Sequence, residues 1–440
     1  MTLEQKITSK EATIGVIGLG YVGLPLAVEY AAAGFKTIGI DVDAKKVASI
    51  NKGINYIDDV DDALLEAAVQ NGFFSAEDHY KSVKKMDVIF ICVPTPFTET
   101  KDPDISYILD SARGILPGMR KGQVIILKST TFPNTTEGYV MPILDKSKLK
   151  VGKDYFLAFS PERIDPGNKQ FTTANTPTVV GGVTKACTKM AVLVTAQVIA
   201  QVVPVSGPKV AEMEKLLENI FRSVNIALVN ELAQLCDRME GVNMWEVIEA
   251  AKTKPFGFMP FYPGPGIGGH CILIDPYYLS WIARKYDFQT NFINLAAETN
   301  ESMPFYVKNM LFRQLSMMPI SIKDAKILML GVAFKKDVDD TRHSPALRVM
   351  ELLLEDNVRK LHYNDPWVPE VPVNGLTLKS RKLTPALLES MDIVVITTDH
   401  SDYDYDMIVR HSKVVIDTRN ATKAVRGKKA HVTVLGDGKK

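Results

Sequence analysis

The stretch TIGVIGLGYVGLPLAVEYAAAGFKTIGID, residues Thr13–Asp41, decides the fold of this chain. Its pattern predicts in turn a strand, a G-x-G-x-x-G turn, a helix, a second strand and an acid: Thr13–Ile17, Gly18–Gly23, Leu24–Ala33, Lys36–Ile40 and Asp41. The acid lies eighteen residues after Gly23, a spacing typical of dinucleotide-binding α/β units. The stretch therefore predicts an α/β fold with a doubly wound parallel sheet.

The glycine turn predicts both the cofactor and its contacts. Gly18 allows a tight turn, Gly20 lets a pyrophosphate approach the backbone, and Gly23 lets the helix pack on the sheet. Asp41 can accept hydrogen bonds from both ribose hydroxyls and would repel a 2′-phosphate, so we expect NAD in preference to NADP, although Lys46 weakens that exclusion a little. The cofactor residues predicted here are Gly18, Gly20, Tyr21, Val22, Gly23, Asp41 and Lys46.

Two further apolar strands end in polar residues. Met86–Val93 leads into Pro94-Thr95-Pro96, and Gln123–Lys128 leads into Ser129-Thr130-Thr131. Because ligands of doubly wound sheets bind outside the carboxyl ends of the strands, we assign both ends to the cofactor site. The residues concerned are Pro94, Thr95, Ser129 and Thr130. A later run, Thr178–Gly182, is predicted to add an edge strand.

A glutamate follows the predicted strand Phe156–Phe159, within Ser160-Pro161-Glu162-Arg163. A carboxylate directly after a strand end is a candidate acid–base group. A surface carboxylate paired with an arginine would give the same pattern, so the sequence leaves both interpretations open.

The segment Pro208–Gly241 has apolar residues at helical spacing over about nine turns, which predicts a spine or a subunit interface. Lys215 and Asn219 are four residues apart and so share one face of this helix. They are either two donors that point into a site, or Lys215 pairs with Glu212 or Glu218 in water. The sequence alone slightly favours the pairing.

The segment Pro263–Leu279, PGPGIGGHCILIDPYYL, combines four glycines and three prolines with one cysteine. Such a mixture predicts a loop that wraps a ligand and presents the Cys271 thiol, or else a tight turn with a buried, inert cysteine. Asp275-Pro276 is predicted to start a helix, with the aspartate as N-cap.

The last third of the chain, Lys326–Lys440, repeats the pattern of the first domain in degraded form. Where the first turn is GLGYVG, the second is Gly331–Asp337, GVAFKKD, so charged side chains replace the glycines. This suits a diphosphate held by cations, although a structural pseudo-repeat remains an alternative. We assign Phe334, Lys335 and Arg419 to the substrate and Arg342 to the cofactor, and expect both arginines at strand ends.

Composition narrows the class of protein. The chain has 440 residues with a net charge of +1, which predicts two or three domains and no bulk attraction to nucleic acid or membrane. Its four cysteines are widely spaced and its seven histidines scattered, so we expect no metal site, no disulfide framework and a reducing, cytoplasmic location. No apolar run approaches the ~20 residues of a membrane span.

Taken together, these motifs resemble the UDP-glucose/GDP-mannose dehydrogenase family over nearly the whole chain. The resemblance implies two Rossmann-like doubly wound domains joined by a long central helix. It implies an NAD-binding domain at residues 1–205, a helical dimerisation and catalytic-loop domain at 206–315, and a UDP-sugar domain at 316–440. It also implies a homodimer or a higher homo-oligomer.

The resemblance implies a mechanism as well. The C6 hydroxyl of a UDP-sugar would be oxidised twice, with two NAD consumed and Cys271 as nucleophile. Lys215 and Asn219 would be oxyanion donors, Asp275 and Glu162 acid–base or water-positioning groups, and Thr130 would lie close by. The predicted substrate-binding residues are Glu162, Arg163, Lys215, Asn219, Phe258, Phe261, Tyr262, Gly264, Gly268, Phe334, Lys335 and Arg419.

The motifs leave open the identity of the sugar and the presence of a second carboxylate. Family members acting on UDP-glucose often carry a second glutamate where this chain has Pro166, and whether Asp165 replaces it stays open. The aromatic segment Lys254–Gly264 resembles the branch that oxidises UDP-N-acetylhexosamines in polysaccharide biosynthesis. We therefore expect UDP-N-acetylglucosamine, with UDP-N-acetylgalactosamine or UDP-glucose as alternatives. An inactive nucleotide-sugar-binding protein is the alternative of a different class.

Overall fold

The computed structural model describes residues 1–57, 60–98, 101–164, 170–269, 271–427, 429 and 431–439, and for Cys271 it describes the backbone. The described residues cluster into two compact units. The first unit consists of Met1–Glu218 and Tyr277–Phe288, and the second of Asn219–Pro276 and Gln289–Lys440. The three domain boundaries expected from the sequence stay predictions, because this clustering divides the middle segment between the units.

The first unit is built around one sheet with the order β3-β2-β1-β4-β5-β6-β7-β8. All neighbouring strands are parallel except β6 and β7. The strands are β1 Ile14–Ile17, β2 Thr37–Ile40, β3 Phe74–Glu77, β4 Val88–Ile91, β5 Gln123–Leu127, β6 Tyr155–Phe159, β7 Thr178–Gly182 and β8 Val202–Val205. This order confirms the doubly wound sheet, with the reversal of strand order between β1 and β4.

The expectation that Thr178–Gly182 forms an edge strand is wrong. That strand lies between β6 and β8, and β8 takes the edge. The physical reason lies in Pro204, which has no backbone N–H to donate and is therefore tolerated at an edge. The central strands, by contrast, are buried along their whole length, as in Val88–Ile91 and Gln123–Leu127.

Helices cover this sheet and connect its strands. They are α1 Leu3–Thr8, α2 Gly23–Ala32, α3 Ala44–Ile50, α4 Asp62–Gln70, α5 Ser106–Ile115, α6 Met141–Leu144 and α7 Lys185–Thr195, and a π-helical turn, Thr136–Val140, precedes α6. Helix α8, Pro208–Cys236, begins in the first unit and ends in the second. It is slightly shorter than expected, because the chain turns between Asp237 and Gly241, where the glycine has φ +80°.

The second unit contains a parallel sheet with the order β10-β9-β13-β14-β15 and an antiparallel hairpin of β11 and β12. Its strands are β9 Lys326–Leu330, β10 Lys360–Asn364, β11 Glu370–Val373, β12 Leu376–Lys379, β13 Ile393–Ile396, β14 Val415–Asp417 and β15 Val432–Val434. Its helices are α9 Met244–Lys252, α11 Asn291–Ser316, α12 Pro345–Glu355, α13 Pro385–Ser390 and α14 Tyr405–His411, while α10 Cys271–Ala283 is shared with the first unit. The second Rossmann-like domain is thereby confirmed.

Candidate active site

The glycine turn after β1 has the geometry of a phosphate cradle. Gly18 has φ +86°, and a Cβ there would lie 2.7 Å from the carbonyl oxygen of Cys92. A Cβ on Gly23 would lie 1.8 Å from the carbonyl oxygen of Gly18, so the packing of the turn itself excludes a side chain at both positions. A Cβ on Gly20 would meet no described atom within 4 Å. The open side at Gly20 is therefore available to a ligand, and it fits a pyrophosphate at the start of α2.

Asp41 lies directly after β2 and faces this turn. Its Oδ2 accepts a hydrogen bond of 2.8 Å from the Leu19 N–H, and its Oδ1 accepts one of 2.9 Å from the Asp43 N–H. Each carboxylate oxygen has a further lone pair for a ligand hydroxyl. The Lys46 ammonium lies 5.8 Å from the ring centroid of Tyr56, whose hydroxyl donates to the Leu19 carbonyl oxygen in the turn. The acceptor oxygens of Asp41 beside this turn fit a dinucleotide with a free 2′-hydroxyl.

The polar ends of β4 and β5 are bound to each other. The Ser129 hydroxyl donates to the Val93 carbonyl oxygen at 2.7 Å. Thr95 is buried, and its carbonyl oxygen accepts a hydrogen bond from the Tyr278 hydroxyl of α10. Pro94 is exposed and Thr130 is partly buried. The structure thus brings these predicted residues to neighbouring strand ends, and it adds Tyr278, which sequence reasoning missed.

Glu162 follows β6 and is paired with a buried lysine, so it is not a surface carboxylate paired with an arginine. The distance from Lys128 Nζ to Glu162 Oε2 is 3.4 Å, and the lysine side chain is only 2% exposed. Glu162 Oε1 accepts hydrogen bonds from the N–H groups of Arg163 and Ile164 at 2.8 and 3.0 Å. A buried lysine at a strand end is the signal that would have identified Lys128 as part of the site.

Arg163 is bound to helix α8. Its guanidinium donates to the carboxylates of Glu214 and Glu218, and its Nη1 donates to the Pro177 carbonyl oxygen at 2.8 Å. The pKa of Glu214 is raised to about 7, mainly by burial and to a smaller extent by the neighbouring Glu218 carboxylate. Arg163 therefore fixes the segment after β6 against α8, and its assignment to the substrate stays a prediction.

Lys215 and Asn219 lie one turn apart on α8, and both are buried, at 7% and 4% exposure. Among the described residues, Lys215 has no ion pair. Glu212 is bonded to Asn134 and Thr136, and Glu218 is bonded to Arg163. The solvent-exposed pairing that the sequence slightly favoured is therefore wrong, because α8 buries this face and other groups bind both carboxylates.

The predicted helix start at Asp275-Pro276 is also wrong. Helix α10 begins at Cys271 and contains Pro276 in its interior. Gly269 has φ +80° and donates its N–H to the Arg342 carbonyl oxygen at 2.9 Å, so the chain has turned before Cys271. The buried Asp275 carboxylate instead accepts a hydrogen bond of 2.5 Å from the Asn219 side-chain amide. His270, Asp165 and Pro166 lie outside the described residues.

The glycine loop contacts the carboxyl ends of the second sheet within the second unit. A Cβ on Gly264 would lie 2.5 Å from Nη1 of Arg419, and one on Gly268 would lie 2.5 Å from the Cβ of Phe334. The Gly264 N–H donates to Oδ1 of Asn230 at 2.9 Å. The structure thus brings together four predicted substrate residues, and the absence of side chains on the glycines is what permits these contacts.

Arg419 and Arg342 differ in their placement. Arg419 follows β14 as expected, and its Nε donates to the Thr397 carbonyl oxygen at 3.1 Å. Arg342 is not at a strand end. It is exposed in the loop between β9 and α12, and its Nε lies 3.0 Å from both carboxylate oxygens of Asp340. The cofactor assignment of Arg342 stays a prediction, as does the substrate assignment of the partly buried Lys335.

The aromatic segment before the glycine loop divides into anchored and exposed residues. Phe261 packs edge-on against Phe221, with 5.8 Å between ring centroids. Tyr262 stacks on Trp245 and donates its hydroxyl to Glu249 at 2.6 Å. Phe258 is 41% exposed. The first two rings are thus held by the protein, whereas Phe258 remains open to a ligand, and the substrate roles of all three stay predictions.

Comparisons with known proteins give consistent matches along the chain. The domain models of the UDP-glucose/GDP-mannose dehydrogenase family match three segments: the NAD binding domain at residues 12–199, the central domain at 209–302 and the UDP binding domain at 328–424. Among the described residues, we find neither a helix with the length and apolar character that a membrane span requires nor a cluster of side chains that could hold a metal.

Individual relatives are similar over most of their length. A UDP-N-acetyl-D-mannosamine dehydrogenase from Pyrococcus horikoshii is 35% identical over 93% of this chain and 96% of its own. A UDP-N-acetyl-D-glucosamine 6-dehydrogenase from Pseudomonas aeruginosa is 36% identical over 82% of this chain and 84% of its own. The solved structure of a UDP-D-ManNAc dehydrogenase from Pyrococcus horikoshii superposes with a TM-score of 0.87 at 32% identity, covering 97% of this chain and 99% of that one.

Proposed function

The chain belongs to the UDP-glucose/GDP-mannose dehydrogenase family, and from this premise we propose that it oxidises the C6 hydroxyl of a UDP-N-acetylhexosamine to the uronic acid in two steps. It is an NAD-dependent nucleotide-sugar dehydrogenase. The observation that carries the proposed mechanism is the buried face of α8, where Lys215 has no ion pair among the described residues and Asn219 is bonded to Asp275.

The first step converts the alcohol to an aldehyde. The C6 hydroxyl gives its proton to a carboxylate, for which the buried Asp275 is our candidate, and NAD accepts the hydride when it is bound. Lys215 and the second N–H of the Asn219 amide stabilise the negative charge on the substrate oxygen. Such a donor typically contributes about 3–4 kcal/mol to transition-state stabilisation.

The second step needs a nucleophile because an aldehyde does not readily lose a hydride. The Cys271 sulfur adds to the aldehyde carbon and gives a thiohemiacetal, which becomes a thioester when it loses its hydride. The thiolate is the reactive form of a cysteine in such an addition. Water, positioned by Glu162, then attacks the thioester and releases the thiolate. One alcohol, two NAD and one water thus give one carboxylate, two NADH and three protons.

The identity of the sugar is the most specific part of the proposal. We take UDP-N-acetylglucosamine as the first substrate, and UDP-N-acetyl-D-mannosamine as the second because the relative of that name aligns with 93% of the chain. The exposed Phe258 ring can pack on an acetamido methyl group, a contact worth about 1–3 kcal/mol. Cytoplasmic location and a role in polysaccharide biosynthesis remain predictions.

Initial rates of NADH formation across UDP-sugars test the substrate. We expect kcat/KM for the better N-acetylhexosamine to exceed that for UDP-glucose by about 10–200-fold. The panel consists of UDP-N-acetylglucosamine, UDP-N-acetyl-D-mannosamine, UDP-N-acetylgalactosamine and UDP-glucose. A higher value for UDP-glucose would contradict the assignment of the sugar and leave the mechanism intact. No NADH from any member, with UDP still bound, would favour an inactive nucleotide-sugar-binding protein.

Asp41→Ala is expected to narrow the preference for NAD over NADP. The wild-type carboxylate accepts the ribose hydroxyls and repels a 2′-phosphate, and alanine does neither. Fluorescence titrations with NADH and NADPH measure both dissociation constants. Asp43→Ala is the matched control. Asp43 lies two residues away and donates its backbone N–H to Asp41, and this hydrogen bond does not depend on the Asp43 side chain. A wild-type protein that binds NADPH as tightly as NADH would refute the assignment of Asp41.

We also propose a homodimer through α8. The outer face of this helix exposes large apolar side chains at Val210, Met213, Leu217, Phe221, Leu228 and Leu235. Burying such a face removes apolar surface from water, which stabilises a dimer by about 25 cal/mol per Å² of apolar surface buried. Light scattering at assay concentrations measures the mass, and a monomer would contradict the proposal.

A further inference from the structure

A buried carboxylate in the first unit has no part in the proposed chemistry. Glu212 is fully buried on α8, three residues before Lys215 and seven before Asn219. Positions i, i+3 and i+7 lie on one stripe of a helix. Glu212 therefore lies on the same stripe of α8 as the two proposed oxyanion donors, about one turn before Lys215.

Glu212 binds the segment that follows β5. Its Oε2 accepts a hydrogen bond of 2.6 Å from the Asn134 N–H. Its Oε1 accepts one of 2.8 Å from the Thr136 N–H and one of 2.7 Å from the Thr136 hydroxyl. Asn134 has φ +83°, so the backbone turns sharply where the carboxylate binds it. The carboxylate thus satisfies N–H groups at the beginning of the helical segment that starts near Thr136.

The same short segment carries predicted site residues. Ser129 and Thr130 lie a few residues upstream of Asn134, and further hydrogen bonds connect the two parts. The Thr131 and Thr135 hydroxyls are 2.7 Å apart, and Thr135 donates its hydroxyl to the Phe132 carbonyl oxygen at 2.8 Å. The segment between β5 and the helix is therefore held as one piece, and Glu212 attaches it to α8 through three hydrogen bonds.

We propose that Glu212 is a positioning residue that fixes the Ser129–Thr136 segment in register with Lys215. The proposal rests on the proposed function for its catalytic consequence, and on the hydrogen bonds alone for the attachment. A carboxylate is required because three donors converge on it and both of its oxygens must accept. Glutamine would turn an NH₂ group toward a backbone N–H, leaving a buried donor without an acceptor.

The variant Glu212→Gln tests this role in the full-length protein. We expect kcat for the best UDP-sugar to fall about ten- to a hundredfold, because a displacement of about 1 Å in catalytic groups has that effect. Amide hydrogen exchange in residues 129–136 is expected to accelerate about tenfold or more, since the segment opens locally. Titration with NADH is expected to show weaker binding, because Ser129 and Thr130 belong to the predicted cofactor site.

Glu137→Gln is the matched control. Glu137 belongs to the same helical segment, but it is partly exposed and pairs with Lys209 at 3.3 Å, and so should leave all three measurements unchanged. If Glu212→Gln does not fold, Glu212→Asp keeps the charge and the acceptors but shortens the reach by one methylene, and the same losses are expected. Wild-type exchange and kcat in a folded Glu212 variant would overturn the proposal. If the wild-type protein oxidises no UDP-sugar, the proposed function fails, while exchange and NADH binding still decide the attachment.

Discussion

Replacing Cys271 with alanine is expected to abolish formation of the uronic acid, with a loss of about 10⁴-fold or more in kcat. Without the sulfur no thiohemiacetal forms, and the aldehyde cannot deliver a second hydride. Cys271→Ser is expected to stall after one oxidation or to accumulate an ester, because an alkoxide is a poorer leaving group than a thiolate. NADH counted per sugar consumed, together with intact protein mass, measures both outcomes.

The other cysteines make this experiment specific. Cys92, Cys187 and Cys236 are buried, and burial raises the pKa of the Cys92 thiol to about 12. A mass increase on the wild-type or Cys271→Ser protein is therefore expected to map to position 271. Cys236→Ala removes a thiol from the same unit and should keep two NADH per sugar. If Cys271→Ala still gave two NADH per sugar at the wild-type rate, the covalent mechanism would have to be abandoned.

Lys215→Met is expected to lower kcat by about 10²–10³-fold without lowering the free energy of unfolding. The ammonium stabilises the developing oxyanion, which a thioether cannot do. The same ammonium is buried and has no ion pair among the described residues, so its desolvation opposes folding. A hydrophobic side chain of similar length removes this cost. Steady-state kinetics and urea unfolding, measured on the same preparation, give the two quantities.

Lys209→Met provides the comparison for this result. Lys209 lies on the same helix, but it is 57% exposed and pairs with Glu137. We expect its replacement to leave kcat unchanged and to alter stability only slightly, because exposed ion pairs contribute little. A Lys215→Met protein that lost stability and kept its kcat would show that the lysine is structural.

The aspartates that directly follow β2 and β10, Asp41 and Asp365, show which features could be predicted from the sequence and which could not. Both Asp41 and Asp365 follow a second strand, and the pattern assigns them the same place. Asp41 accepts two backbone hydrogen bonds and is partly exposed. Asp365 is buried, and it accepts hydrogen bonds from Val332, Ala333, Trp367, Val368 and His400. The second acid thus has no room for a ribose, which the spacing of residues could not reveal.

Apolar periodicity and glycine spacing were enough to predict the two doubly wound sheets, the cofactor turn and the helix that carries Lys215 and Asn219. These features depend on residues close together in the chain, through the period of apolar residues and the freedom of particular glycines. The helix start at Cys271 escaped this reasoning, and the nearby Gly269 donates its N–H to the Arg342 carbonyl oxygen, a contact with a distant part of the chain.

The pairing of the charged groups depends on three-dimensional packing and could not be predicted from the sequence. Lys128 binds Glu162, Arg163 binds two glutamates of α8, and Glu212 binds the segment after β5. Each partner comes from a distant part of the chain, so no local pattern selects it. A buried charge requires a partner or remains costly, and packing determines which group supplies that partner. The same packing left Lys215 without a partner among the described residues, which is the physical basis for its proposed role.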